Sequence, residues 1–147
     1  MSLKERIQED MRAAMRAAAK DRLATIRMIL AAVKQREVDE RITVDDSQLF
    51  AVLDKMAKQR RESITQFQAG GRADLVAKET AELEIINSYL PAQLSSADLD
   101  ALIEQAMAQT GAVSIKEMGK VMAAIKAQAQ GRADMAVVGA RIKARLS

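Results

Sequence analysis

The 147-residue sequence has no cysteine, no histidine and no tryptophan, a single proline, and three aromatic residues: Phe50, Phe67 and Tyr89. Without cysteine there are no disulfides, thiolate nucleophiles, iron–sulfur clusters or cysteine-type zinc sites. The lack of histidine removes the commonest general base, the imidazole metal ligand, and the Ser-His and Cys-His pairs of nucleophilic catalysis. Only carboxylates are left as metal ligands, so no metal or cofactor is expected. Three aromatics are too few for a base-stacking platform. Phosphate-cradling glycine motifs are absent, and Ser95-Ser96 lacks the glycine-rich surround that would expose a serine nucleophile. The acidic residues Glu79, Glu82 and Glu84 are spaced as a solvated helix surface. No catalytic residue is expected. The longest apolar run, Met28 to Val33, is six residues, far short of the ~20 that span a bilayer. With a charged N-terminus and no export-type segment, the sequence points to the cytoplasm and away from a membrane.

Hydrophobic residues make up 49% and charged residues 29% of a chain with six glycines, which describes a globular protein with long unbroken helices. Ser2 and Glu5 form a capping box ahead of the stripe Leu3, Ile7, Met11, Ala14 and Ala18. Asp21 opens a second helix with Leu23, Ile26, Leu30 and Val33 on one face. Asp45 or Asp46 caps a third, carrying Leu49, Leu53, Met56, Ile64 and Phe67 as far as Gly70-Gly71. Asp74 starts a fourth, with Val76, Leu83, Ile86 and Leu90 inward, and Pro91 closes it. Three shorter helices follow: one capped at Ser95 or Ser96, one behind a Ser114/Glu117 capping box, and one opened by Asp134 with Val137, Val138, Ile142 and Leu146 inward. The expectation is an all-α chain. Residues 1–92 form an antiparallel bundle of about four helices, and residues 93–147 a small three-helix domain. Gly71-Arg72-Ala73-Asp74 recurs as Gly131-Arg132-Ala133-Asp134, which reads as a reused connector: glycine ends one helix and aspartate caps the next.

The net charge of +3 is unevenly spread. Residues 91–113 carry Asp98, Asp100 and Glu104 and no basic group, whereas residues 114–147 carry a net +5. The basic residues there are Lys116, Lys120, Lys126, Arg132, Arg141, Lys143 and Arg145. Lys116 and Lys120 are four apart, as are Arg141 and Arg145, so each pair is expected to share a helix face. Gly119 falls at the edge of the buried stripe, where a missing side chain admits another backbone. Basic helical faces without aromatics suit recognition of a structured RNA by its phosphates and shape. Lysines and arginines late in a helix also serve solubility and the helix dipole. A second reading is a helical protein-interaction adaptor, using the N-terminal bundle around Arg60 and Arg61.

Tyr89-Leu90-Pro91-Ala92-Gln93-Leu94-Ser95 and Met118-Gly119-Lys120-Val121-Met122 resemble the YqeY family. So do Arg27-Met28-Ile29-Leu30 through Lys34, Lys58-Gln59-Arg60-Arg61-Glu62-Ser63 and Gly71-Arg72-Ala73-Asp74-Leu75 through Glu79, all in the family's order. The resemblance implies an all-helical protein related to the tail domain of the B subunit of tRNA-dependent amidotransferases, which helps to hold tRNA. The portion similar to that tail runs from Gly119 through Gly131-Arg132-Ala133-Asp134 to the last helix. Met135 departs from it, standing where the family usually carries Gly or Pro. The implied function is a non-catalytic, tRNA-associated accessory module. tRNA is its candidate partner, together with an aminoacyl-tRNA synthetase or amidotransferase. A carbon–nitrogen ligase activity with glutamine as amide donor would be inherited from that relationship alone, since the kinase and amidase portions of the machinery are not in this chain. The RNA-contact candidates are Lys116, Gly119, Lys120, Lys126, Arg132, Arg141, Lys143 and Arg145.

Overall fold

A computed structural model describes residues 1–129 and 131–147. Among them are seven α-helices and no strand, an all-α fold. The chain divides into two compact units, Met1–Leu90 and Pro91–Ser147. None of the described helices is long and apolar enough to cross a membrane.

In the first unit, α1 (Leu3–Arg16) begins at the Ser2/Glu5 capping box, with the Ser2 hydroxyl accepting the Glu5 N–H and the Glu5 carboxylate accepting the Ser2 N–H. Asp45 and Gln48 form a second box at the start of α3 (Asp46–Ala69). Two expected caps are replaced. α2 (Lys20–Glu40) opens at Ala19 without a side-chain cap, and α4 (Ala73–Tyr89) opens at Arg72. Asp74 instead pairs with the Arg72 guanidinium at 3.1 Å, which holds its carboxyl below the usual range. α1 ends with Ala18 at φ 53° and the Ala19 N–H donating back to the Ala14 carbonyl, a left-handed closure that glycine usually supplies.

The core of this unit is built from Leu3, Ile7, Ile26, Ile29, Val33, Leu49, Leu53, Ile86 and Tyr89. Helical periodicity predicts its faces, but the burial is shorter than the stripes. Leu23, Leu30, Leu83 and Leu90 sit half-buried against the core, while half-buried Ile64, Phe67 and Val76 belong to no core cluster. The apolar spacing of α3 is interrupted by Arg60, which is 15% exposed and ties α3 to α4 through Glu82 at 3.2 Å and Glu79 at 3.8 Å. Glu37 accepts the Val44 N–H at 2.9 Å and pairs with Lys4 at 2.9 Å. Those contacts, the backbone bond foremost, hold its carboxyl below its ordinary value.

The second unit comprises α5 (Ser96–Thr110), a short 3-10 turn (Ile115–Glu117), α6 (Met118–Ala129) and α7 (Met135–Leu146). Ser95 caps α5 by accepting the Asp98 N–H, and Asp134 caps α7 by accepting the Ala136 N–H. Leu99, Ile103, Val121, Ile125, Val138, Ile142 and Leu146 form its core. Val137, expected inward, is 44% exposed; the buried stripe of α7 runs through its neighbour Val138.

Candidate nucleic-acid interface

The seven basic residues of the second unit fall into two classes. Arg141 and Arg145 are committed to the fold. The Arg141 guanidinium donates to the Ser96 carbonyl at 3.2 Å, to the Ser96 hydroxyl at 2.9 Å and to Asp100 at 3.0 Å. One turn on, Arg145 pairs with Glu104. The steps from 100 to 104 and from 141 to 145 run the same way, so α5 and α7 are joined by a two-rung charge ladder between parallel helices. The acidic 91–113 stretch and the basic tail therefore neutralise each other in part, and residues 91–147 as a whole carry net +2.

Arg132 is also engaged. Its side chain donates to the carbonyls of Ala92 at 3.1 Å and Gln128 at 3.5 Å, and its own carbonyl accepts the Leu94 N–H at 2.7 Å. The Gly131 carbonyl accepts the Gln93 side-chain amide at 2.8 Å. The Gly131-Arg132 turn thus pins the strand of chain that leads into α5. Its earlier counterpart works differently, since Arg72 closes on Asp74 instead. Both turns do use glycine in the left-handed region, with φ of 71° at Gly71 and 78° at Gly131, where other residues are strained.

Lys116, Lys120, Lys126 and Lys143 are exposed, and none of their ammonium groups has an ion pair or hydrogen bond among the described residues. The nearest carboxylate in sequence, Glu117, is turned inward on its own loop, accepting the Val113 N–H at 3.1 Å and the Ser114 hydroxyl at 3.5 Å. That arrangement alters the expected Ser114 capping box, because the Ser114 side chain makes no bond to the helix backbone. Among the described residues neither Lys116 nor Lys120 has an ion-pair partner.

These four lysines do not make one stripe. Lys116 lies in the 3-10 turn and Lys120 in α6, and the tighter winding between them turns them roughly 40° further apart than a continuous α-helix would. Lys126 stands about 120° around α6 from Lys120. Lys143 is on the side of α7 away from Arg141. Gly119 is not at the buried edge, as its spacing suggests, but exposed, and an added Cβ would meet nothing within 4 Å. Gly119 therefore exposes bare backbone next to Lys120 in the chain.

Ile115, which helical spacing predicts to be buried with Met118, Val121, Met122 and Ile125, is instead 45% exposed in the 3-10 turn, and Val113, which the sequence does not single out, is 84% exposed. Their apolar character suggests burial, and only the burial of Ala112 and Val121 on either side shows that the core is complete without them. Among the described residues no three carboxylates are grouped so as to hold a metal ion.

A family model described as Yqey-like protein matches residues 4–146. The chain is also similar to curated proteins named altered inheritance of mitochondria protein 41, mitochondrial. It is 34% identical to that of Eremothecium gossypii over 119 residues, 76% of this chain and 65% of the relative. It is 33% identical to that of Pyrenophora tritici-repentis over 130 residues, covering 84% and 71%, and 35% identical to that of Lachancea thermotolerans over 107 residues, covering 70% and 57%. The match thus spans under two thirds of the Eremothecium and Lachancea proteins. The cytoplasmic expectation is corrected by these relatives, whose names point to a mitochondrial rather than a cytoplasmic location. Cysteine content reports on redox surroundings and does not separate the two compartments.

Proposed function

The chain belongs to the Yqey-like family, and on that premise we propose that it is a non-catalytic, tRNA-associated accessory module. Its unit Pro91–Ser147 holds the phosphate backbone of tRNA. Lys116 and Lys120 are the central contacts, Gly119 is the point of close approach, and Lys126 and Lys143 are outlying cations. Arg132, Arg141 and Arg145, equal candidates by sequence, support the surface rather than touch the RNA, because each guanidinium is already engaged by groups of the fold.

One observation carries this reading: among the described residues four exposed lysines have no ion pair, whereas the unit's arginines are engaged with the fold, Arg141 and Arg145 by carboxylates and Arg132 by backbone carbonyls. Unpaired cations on a solvated surface give up little when they meet a phosphate, whereas a paired arginine must first break its own contacts. The test is retention of tRNA by the purified full chain at low salt, with and without the double reversal Lys116→Glu/Lys120→Glu. Loss of binding in the variant, with an unchanged melting temperature, is expected. Equal retention by both would refute the assignment.

A further inference from the structure

The loop between α5 and α6 presents two apolar side chains beside the lysines, and phosphate contact has no use for them. Burial alternates along it: Ala112 is in the core, Val113 is 84% exposed, Ser114 is half-buried, and Ile115 is 45% exposed. Ser114 between them is extended, with φ −142° and ψ 161°, and in extended backbone residues two apart project to the same side. Val113 and Ile115 therefore form an apolar pair on one face, directly before Lys116. The pair is held in place, because the Glu117 carboxylate accepts the Val113 N–H at 3.1 Å and Ala112 anchors the preceding step in the core. A side chain presented this way loses little freedom on binding.

We infer that Val113 and Ile115 make this surface selective for RNA with unstacked nucleotides, in a loop or bulge, over a uniform duplex. The inference rests on the RNA reading above. A uniform A-form duplex shows an approaching side chain phosphates and ribose hydroxyls, with its base faces closed in the stack. Lysines at its surface gain from the phosphates, but an aliphatic pair gains nothing. A loop or bulge opens a base face within a few ångströms of its own phosphate, and this surface sets an apolar pair next to a cation. The shortage of aromatics excludes a stacking platform, and two aliphatic side chains bracketing one base take its place. Charge favours this occupant over a neutral or basic protein face: among the described residues Lys116 and Lys120 have no ion pair, and the neighbouring carboxylate in sequence, Glu117, is engaged by the loop itself.

Two contributions are separable, one ionic and salt-dependent, the other apolar and salt-independent. The experiment uses the full chain with two RNA probes of equal phosphate number, a blunt duplex and a hairpin with an open loop, titrated at several salt concentrations. The hairpin is expected to bind roughly tenfold tighter. Val113→Ser/Ile115→Ser should abolish that preference while leaving duplex affinity and salt slope unchanged. Lys116→Gln/Lys120→Gln should do the reverse, lowering the salt slope and keeping the preference. Because both apolar side chains lie outside the core, the melting temperature should not move, and the milder Val113→Thr/Ile115→Thr provides a second variant. Equal wild-type affinity for the two probes, or a preference that survives the serine variant, overturns the inference while leaving phosphate binding in place. Failure to bind either probe at low salt overturns both readings together.

Discussion

Tyr89 joins α4 to α1 through a 2.6 Å hydrogen bond from its hydroxyl to the Asp10 carboxylate, and the Arg6 guanidinium lies 5.3 Å from its ring centre. Burial foremost, then the bond to Asp10, pushes its hydroxyl pKa up to about 12 from 10. The neutral form is the one the fold favours, so this stabilisation is complete below pH 10 and is lost as pH rises through about 12. As the only tyrosine, without tryptophan, Tyr89 can be followed by phenolate absorbance alone. It should titrate near 12 in the native protein, and Asp10→Asn should bring it down while leaving it above 10, because burial remains. A titration at 10 in the folded wild type would contradict the contact. Gly119 offers a second residue-level test with two opposed readouts. With open space around it, Gly119→Ala should stabilise the helix by about 0.5–1 kcal/mol and raise the melting temperature. If bare backbone is where RNA approaches, the same change should weaken RNA binding several-fold. A variant that is more stable and binds equally well would remove Gly119 from the site. At this scale the sequence is least transparent: Lys116 and Arg141 are equal cations in a string of letters, and only partners in space separate one that is free from one that is spent.

Among the elements, the ladder between α5 and α7 makes a distinct prediction. Removing the Arg141 fork by Arg141→Ala should destabilise the second unit by about 1 kcal/mol, the usual range for a partly exposed pair with added hydrogen bonds. It should leave the salt dependence of RNA binding unchanged. A lowered salt slope in this variant would move Arg141 from the fold into the interface. The helices themselves are largely legible in the sequence, because caps and breakers are local: Ser2 with Glu5, Asp45 with Gln48, Ser95, and Gly70-Gly71 all act where they stand. The depth of burial is not legible. The stripe through Ile64 and Phe67 is as regular as the one through Leu49 and Leu53, yet the former is half-buried and the latter fully buried. Periodicity tells which face turns inward, but another element must arrive to cover it. The repeated Gly-Arg-Ala-Asp shows a similar limit. Its glycines behave alike, since the left-handed turn is an intrinsic backbone property. Its Arg and Asp diverge, since their partners come from different neighbourhoods.

At the scale of the molecule, composition and charge carry most of what the sequence tells about function, and both need the structure to be read correctly. The +5 tail is real as a count, but part of it answers the acidic α5 within the same unit. What remains for an outside partner is a group of four lysines rather than seven cations. The most direct measurement of this account is the slope of log binding constant against log salt for tRNA and the full chain. If Lys116, Lys120, Lys126 and Lys143 are the contacts, the wild-type slope should be roughly −3, and Lys116→Gln/Lys120→Gln should reduce it by between one and two. Binding that is insensitive to salt, or a slope that the double lysine variant leaves unchanged, would contradict it.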